Sequence, residues 1–272
     1  MVAHDAGGGA EDLAALRDLA VEVAHAAGEV LLARRGDIGG VEAKGRSNDL
    51  VSAADRESEA LVGEELARRR PDDGLLGEEG ASRQAPSGLR WVVDPIDGTT
   101  NYLYGLDAWT VSIALQRRTS ADWESVVGVV HQPVTGETFE AVAGGGAWLG
   151  ARRLAVNDPV ALPEALVATG FAYDPADRAR QARTAAHLLV RTRDLRRLGS
   201  AALDLCLVAA GRVDGFYEDH LEVWDAAAGE LIAAEAGAVV TRLGRGLLAA
   251  GPALHPRLAA AVDEGRGGAA AR

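Results

Sequence analysis

Cysteine is nearly absent from this sequence, since Cys206 is the one cysteine among 272 residues. A single cysteine cannot form an intramolecular disulfide, and the first ten residues lack the charged and apolar segments of a signal peptide. We therefore expect a reducing, cytoplasmic location. Cys206 lies in the apolar stretch 203–210, which favours a buried, small hydrophobic side chain over a catalytic thiol.

Long apolar runs and an excess of basic residues are also missing. No run approaches the roughly 18 apolar residues that a membrane-spanning helix requires, so we expect no membrane partner. The 28 Lys and Arg residues are outnumbered by 40 Asp and Glu residues, which gives a formal net charge of −12. This charge argues against non-specific binding to nucleic acid, and a protein this acidic needs metal ions or backbone amides to bind an anion.

What the sequence does contain is typical of a folded globular protein. Apolar residues make up 48% and charged residues 25%, and the length corresponds to two small domains or one large one. Apolar positions at spacings of three and four predict an amphipathic helix over residues 11–35. A second helix is predicted over 55–70, with Ser52 or Asp55 as its cap and Pro71 after its end.

The two halves of the chain carry different strand patterns. In the first half, short apolar or alternating runs between residues 91 and 142 predict strands of a largely antiparallel sheet. The two predicted helices would pack on this sheet. From residue 179 onward, helix and strand patterns alternate, which predicts an α/β layer. The glycine-rich segment 144–150 separates these patterns. We therefore predict an N-terminal α+β half over residues 1–147 and a C-terminal α/β half over residues 148–272.

One segment combines acidic residues with a tight turn. A short apolar strand pattern ends at Asp94, Pro95 stiffens the following turn, and Asp97 comes three residues after Asp94. Carboxylates that converge in this way are oxygen ligands suited to Mg²⁺, and the Ile96 carbonyl can add another ligand. If residues 98–101 open a helix, their free N–H groups also form a phosphate site. The alternative is an ordinary surface turn, because Asp-Pro and Asp-Gly pairs are common in turns.

Two further acidic positions have both a functional and a purely structural interpretation. Glu78 follows the apolar pair 75–76 and so lies at the end of a strand, although a Glu in such a place is commonly part of a solvated loop. Asp225 begins an alanine-rich helix pattern that ends at Gly237, and helix capping alone would explain it.

Five motifs, in this order, resemble the inositol monophosphatase family of metal-dependent, lithium-sensitive sugar phosphatases. They are residues 44–55 (KGRSNDLVSAAD), 77–79 (GEE), 94–99 (DPIDGT), 197–204 (RLGSAALD) and 224–229 (WDAAAG). The resemblance covers nearly the whole chain. It implies a layered αβαβα fold of the α/β class, in which the N-terminal half carries most of the metal ligands, and it favours a homodimer.

The resemblance also implies a role for each matching residue. The metal ligands would be Glu78, Asp94, the Ile96 carbonyl, Asp97 and Asp225, and they would hold two or three Mg²⁺ ions. Thr99, paired with Asp55, would hold or activate the attacking water together with Glu78. The substrate would contact Lys44, Asp97, Gly98, Thr99, Gly199, Ser200, Ala201 and Glu218, with the amides of Gly98 and Thr99 on the phosphate. The alternative for Lys44 is a solvated loop residue, and for Asp55 a plain helix cap.

The charge of this set of residues explains the need for metal ions. Four carboxylates contribute about −4 and two Mg²⁺ ions +4, so a third ion would give about +2 and allow a phosphate dianion to bind. Such ions would lower the pKa of a bound water for in-line attack and would stabilise the departing alkoxide, as in two-metal phosphatases. A covalent phosphoenzyme is not required.

Glu218 is the strongest indication of the substrate. It lies seven residues before Asp225, where the resemblance implies an acid that accepts hydrogen bonds from ring hydroxyls. This favours myo-inositol 1-phosphate or a similar polyol monophosphate. Segment 219–222 (DHLE) is more acidic than the usual loop of the family and suits a cationic substrate, so histidinol phosphate is the alternative, followed by fructose 1,6-bisphosphate and adenosine bisphosphate. Segment 105–107 also lacks the proline common in the family.

A non-enzymatic function is the remaining hypothesis. The protein would then act as a regulatory partner of an RNA or transcription complex. The net charge of −12 counts against direct binding to RNA, and the retained carboxylates count against an inactive enzyme.

Overall fold

The computed structural model describes residues 12–36, 42–43, 50–51 and 53–267. Within these ranges the α-helices are α1 (Leu13–Arg34), α2 (Ala53–Arg69), α3 (Thr99–Leu103), α4 (Pro175–Leu189), α5 (Ala201–Ala209), α6 (Val223–Glu235) and α7 (His255–Gly267). The strands are β1 (Glu42–Ala43), β2 (Leu50–Val51), β3 (Gly74–Gly77), β4 (Ser82–Arg83), β5 (Leu89–Asp97), β6 (Thr110–Arg118), β7 (Trp123–Gln132), β8 (Glu137–Val142), β9 (Gly146–Leu149), β10 (Arg152–Arg153), β11 (Leu166–Thr169), β12 (Asp194–Arg196), β13 (Gly215–Glu218), β14 (Val239–Leu243) and β15 (Gly246–Ala250).

The first two long helices lie close to their predicted ranges. Asp12 caps α1, because its side chain accepts hydrogen bonds from the backbone amides of Ala14 and Ala15. α2 begins two residues before the predicted start, so Asp55 lies in the first helical turn, where it is buried. Basic residues occupy the last turn of α2, where their positive charge stabilises the helix by interacting with the negative end of its dipole.

Two mixed sheets form the frame of the molecule. The larger has eight strands in the order β10-β9-β8-β7-β6-β5-β3-β4 and is antiparallel except between β3 and β5. The smaller has five strands in the order β12-β11-β13-β15-β14, with β11 parallel to both β12 and β13. β1 and β2 form a separate antiparallel pair. The predicted antiparallel sheet in the first half is confirmed.

Apolar clusters join the sheets and helices into layers. α1 and α2 cover one face of the eight-stranded sheet, and α5 and α6 fill the space between the two sheets. α4 and α7 cover the outer face of the five-stranded sheet. The order is therefore helix, sheet, helix, sheet, helix, which confirms the predicted αβαβα fold. Among the described residues, no helix has both the length and the apolar character needed to cross a membrane.

Some boundaries differ from the predicted ones. β5 was predicted to end at Asp94, but it continues to Asp97 through an irregular register against β6. The predicted division between residues 147 and 148 falls within β9, which belongs to the eight-stranded sheet; the division into two halves stays a prediction. β11, β15 and α7 were not predicted, and every residue of β15 is buried, so its sequence shows no alternation.

Candidate active site

A cleft of about 590 Å³ opens where the two sheets meet the first turns of α5 and α6. Its wall combines residues from four parts of the chain: 78 and 94–100 at the ends of β3 and β5, 170–174 after β11, 197–204 around the start of α5, and 218–225 between β13 and α6. Four of the five sequence motifs that predicted the site contribute to this wall. The fifth, residues 44–55, lies largely outside the described residues, and Lys44 is among those not described.

The parallel pairing of β3 with β5 brings Glu78 next to Asp94. Gly77 is paired with Val93 in this register, so Glu78, the residue after β3, emerges beside Asp94 within β5. The Glu78 side chain lies close enough to Asp94 to raise the pKa of that carboxyl. Asp94 Oδ1 also accepts a hydrogen bond of 3.0 Å from the Ile96 amide, which fixes the carboxylate against its own strand.

Asp94, Asp97 and Asp225 form an acidic cluster. Each offers a carboxylate oxygen, and these oxygens all lie within 4.8 Å of one another. Asp97 is held from the other side of the cleft, because its Oδ2 accepts hydrogen bonds from Ser200 Oγ (2.6 Å) and the Ala202 amide (2.7 Å) at the start of α5. Among the described residues this is the only group of three or more potential metal ligands so arranged.

Asp225 is not the N-cap of its helix, as one interpretation of the sequence had it. α6 begins at Val223, Glu222 is the N-cap, and Asp225 is the third helical residue. The Asp225 Oδ2 atom accepts a hydrogen bond of 2.7 Å from the Glu222 amide, while the Glu222 side chain accepts one from the Asp225 amide. This reciprocal pair of hydrogen bonds fixes the Asp225 carboxylate at the N-terminus of α6. At the other end, Gly237 follows the helix in a left-handed conformation (φ 95°).

Burial and mutual repulsion shift the pKa values of the cluster upward. Burial, followed by the neighbouring carboxylates, raises the pKa of Asp94 and of Asp225 well above the usual range. Burial also raises the pKa of Asp97 to about 6, although the hydrogen bonds from Ser200 and Ala202 oppose this rise. A set of oxygen donors that repel one another, two of them buried and Asp225 half-buried, fits a hard divalent cation such as Mg²⁺.

Thr99 lies at the first position of the short helix α3, beside the acidic cluster. Its Oγ1 atom lies 3.3 Å from Asp55 Oδ1 and 3.1 Å from the Ile96 carbonyl oxygen, and the hydroxyl donates to these acceptors. Asp55 reaches Thr99 from the first turn of α2 and is completely buried. The structure therefore brings together two residues that are 44 positions apart in the chain.

Two glycines in left-handed conformations allow close backbone packing at the cleft. Gly98 has φ of 102°, and a Cβ there would lie 2.9 Å from the Ala108 carbonyl oxygen and 3.1 Å from that of Gly199. Gly199 has φ of 99°, and a Cβ there would lie 2.5 Å from Arg197 Nη1. Any other residue at these positions would separate the turn after Asp97 from the segment before α5.

Glu218 ends β13 and lines the same cleft. Burial raises its pKa to about 8, and the nearby Arg197 guanidinium opposes that rise. Gly170 makes room for the carboxylate, because a Cβ on Gly170 would lie 1.9 Å from Glu218 Oε2. Gly199, Ser200 and Ala201 line the cleft as well, but the Ser200 hydroxyl is engaged with Asp97.

Arg197 and Asp204 are charged residues of the cleft wall that had no predicted role. Arg197 and Asp204 both lie within the motif 197–204 that carried the resemblance, so the sequence did contain a signal for them. Asp204 is buried, and none of the residues that the structure describes makes a hydrogen bond to its Oδ1 atom. Burial, followed by the charge of Asp97, raises the pKa of Asp204 well above its usual range, whereas Arg197 opposes the rise.

Comparison with known proteins agrees with this geometry. The sequence model of the inositol monophosphatase family matches residues 12–267. This chain belongs to the inositol monophosphatase family. A family member from Mycobacterium tuberculosis, named inositol-1-monophosphatase SuhB, is 40% identical over 93% of this chain and 95% of its own length. Another from Haemophilus influenzae, named Nus factor SuhB, is 38% identical over 82% of this chain and 83% of its own length.

A solved structure of the family has the same fold. The extragenic suppressor protein SuhB from Bartonella henselae is 36% identical and superposes with a TM-score of 0.86, covering 92% of this chain and 99% of that one. The chain is therefore a phosphatase of the inositol monophosphatase family, whose members are in general metal-dependent, and its acidic cluster is able to bind a metal ion.

Proposed function

We propose that this phosphatase hydrolyses myo-inositol 1-phosphate or a similar polyol monophosphate in the presence of Mg²⁺. The observation that carries the proposal is the position of Glu218, a half-buried carboxyl group in the same cleft as the cluster of Asp94, Asp97 and Asp225. One end of the cleft is thereby suited to cations and phosphate, and the other to accepting hydrogen bonds from hydroxyl groups.

The ligands that would hold two or three Mg²⁺ ions are Glu78, Asp94, the Ile96 carbonyl, Asp97 and Asp225. The donor set supports this assignment, because every donor is an oxygen and the three aspartates converge within 4.8 Å. When bound, Mg²⁺ supplies Lewis-acid stabilisation of the charge on the phosphate and on the leaving oxygen. The Gly98 and Thr99 amides are proposed to donate to phosphate oxygens.

Thr99 and Glu78 are proposed to hold the attacking water. The Thr99 hydroxyl donates its proton toward Asp55 and the Ile96 carbonyl, so its oxygen lone pairs remain able to accept a hydrogen bond from water. Glu78 accepts the proton of the other O–H group of that water as a general base, and the leaving alkoxide oxygen takes its proton from solvent water. Asp55 acts through Thr99, since it fixes the direction of the hydroxyl.

The segment 219–222, whose acidity suggested a cationic substrate, carries its own positive partners. The Asp219 side chain accepts hydrogen bonds from Arg180 and from Gln181 Nε2, the latter of 2.7 Å. Glu222 is paired with Arg245 and caps α6. Because these charges are compensated within the protein, they offer little attraction to a cationic substrate, which favours a polyol phosphate over histidinol phosphate.

A turnover panel tests the proposal. Purified protein in millimolar Mg²⁺ is assayed for phosphate release from inositol 1-phosphate, histidinol phosphate, fructose 1,6-bisphosphate and 2-glycerophosphate, with Asp94→Asn as the inactive control. We expect the highest kcat/KM on inositol 1-phosphate. A preference for histidinol phosphate or the bisphosphate would replace the substrate, and no release from any ester would favour the regulatory hypothesis. Lithium sensitivity, a homodimer and a cytoplasmic location remain predictions.

A further inference from the structure

Helix α2 presents two buried carboxylates one helical turn apart, and only the first has been assigned a role. Asp55 contacts Thr99. Glu59, four residues later and also buried, therefore lies on the same face of the helix. Its Oε2 atom accepts a hydrogen bond of 2.8 Å from the Glu79 amide, and its Oε1 atom accepts one of 2.8 Å from the Ala81 amide.

These two amides belong to the tight turn between β3 and β4, which also carries Glu78. The Gly77 amide donates to the Ala81 carbonyl at 2.8 Å, and the Glu78 amide donates to the Val93 carbonyl at 3.2 Å. The Glu79 amide and the Ala81 amide are thus each held by one oxygen of the Glu59 carboxylate. A hydrogen bond to an ionised acceptor is roughly twice as strong as one between neutral groups.

Gly77 provides the space that this contact requires. A Cβ on Gly77 would lie 2.2 Å from Glu59 Oε2 and 2.6 Å from its Cδ, so any side chain there would displace the carboxylate. The φ of Gly77 is not in the left-handed region. The glycine is therefore explained by its contact with Glu59 and not by an unusual backbone conformation.

We propose that Glu59 is a positioning residue that fixes the Glu78 turn and thereby aims the Glu78 carboxylate at Asp94. The inference rests on the proposed role of Glu78 at the metal site. Glu59 acts through two backbone amides of the turn, so it controls the direction of the Glu78 side chain and does not contact the substrate. Replacing Glu59 should therefore reduce metal binding and turnover together, and by the same factor for substrates with different organic groups.

Glu59→Gln tests this role because the amide group keeps the size of the carboxylate but presents an N–H group to one of the two donors. Replacing such supporting residues at metal sites typically reduces metal affinity or activity by about 10- to 100-fold. We expect a loss of this size in Mg²⁺ affinity, measured by calorimetric titration of the protein with MgCl₂ alone. We expect a matching loss of kcat on both inositol 1-phosphate and 2-glycerophosphate, with KM for each ester nearly unchanged.

Asp73→Asn is the matched control. Asp73 is a buried carboxylate just before the first residue of β3, at the opposite end of the strand from Glu78, and it accepts hydrogen bonds from Ser87 and Trp91. This variant should lose stability toward urea while keeping its Mg²⁺ affinity. Glu59→Asp, which retains the charge on a shorter side chain, should recover part of the affinity lost in Glu59→Gln.

Unchanged Mg²⁺ affinity and kcat in Glu59→Gln, or a loss confined to urea stability as in Asp73→Asn, would overturn the proposal. If Glu59→Gln does not fold, Gly77→Ala, which displaces the intact carboxylate, is measured in its place with the same two expectations. Absence of phosphate release by the parent protein would instead contradict the proposed function, while the Mg²⁺ titration would still decide the role of Glu59.

Discussion

Asp73 and Asp94 are equally buried, each with 1% of its surface exposed, yet their surroundings are opposite. Asp73 accepts hydrogen bonds from Arg70 Nε (2.8 Å), Ser87 Oγ (2.9 Å) and Trp91 Nε1 (3.1 Å). Asp94 has three other carboxylates around it, those of Glu78, Asp97 and Asp225, and each of them raises its pKa.

Asp219 belongs with Asp73 in this comparison. Burial alone would raise the pKa of Asp219, but the hydrogen bonds from Arg180 and Gln181 outweigh it and hold the pKa below the usual value. The fold thus provides the structural acids Asp73 and Asp219 with hydrogen-bond donors that include a positively charged arginine. The acids of the cleft are arranged so that a cation must come from solution.

The largest effect is expected from removing the acid at the centre of the cleft. Asp94→Asn keeps the shape of the side chain but removes its charge. Metal bound at Asp94 is expected to stabilise the transition state by several kcal/mol, and the variant should lose this stabilisation. We expect kcat to fall by about a thousandfold, which corresponds to about 4 kcal/mol, with little change in the urea midpoint. Near-normal turnover in a phosphate-release assay would mean that Asp94 is only a turn residue.

Glu218→Gln distinguishes Glu218 from the acids proposed to bind metal, because Glu218 is proposed to contact hydroxyl groups of the substrate. In an assay above pH 8, where the Glu218 carboxyl is ionised, charge-assisted hydrogen bonds contribute about 1.5–3 kcal/mol, so kcat/KM for inositol 1-phosphate should fall by about 10- to 150-fold. The fall should be much smaller for an ester without ring hydroxyls. Equal, large losses on both esters would move Glu218 into the metal site, and no loss on either would make it a structural residue.

Asp73→Asn reverses the pattern of Asp94→Asn. The substitution weakens hydrogen bonds to a charged group, so the free energy of unfolding should decrease by about 1.5–3 kcal/mol. Turnover at saturating Mg²⁺ should stay at the level of the parent protein. Urea denaturation monitored by tryptophan fluorescence, since Trp91 lies beside Asp73, measures the change. A loss of kcat with unchanged stability would contradict the contrast drawn between the two acids.

The smallest effect concerns Mg²⁺ itself. Binding to the folded state at ten times the dissociation constant contributes about 1.4 kcal/mol, which for a chain of this length raises Tm by about 3–6 °C. Chelation should reverse the shift in the parent protein, and Asp94→Asn should show little shift in either direction. Thermal scans in MgCl₂ and in EDTA provide the measurement, and equal Tm values for the parent protein would count against a metal site.

Local patterns in the sequence predicted the elements whose residues carry their own signal. The spacing of α1, and the order of the motifs around Asp94 and Asp225, needed no tertiary information. β15 could not be predicted, because both of its faces are buried and its residues do not alternate. Glu59 could not be predicted either, since the amides that it binds belong to a turn 20 residues away that only the packing of α2 brings near.

The hydrogen bond between Ser200 and Asp97 joins β5 of the larger sheet to the start of α5, which packs between the sheets. This contact limits how the cleft can diversify among related enzymes. A substitution at 200 would disturb the Asp97 carboxylate before it altered the preference for an organic group. Glu218 faces Gly170, and among the residues that the structure describes no hydrogen bond or ion pair joins it to the acidic cluster. Selection for a new substrate could therefore act at 218 and 170 while the phosphate-cleaving half of the cleft stays intact.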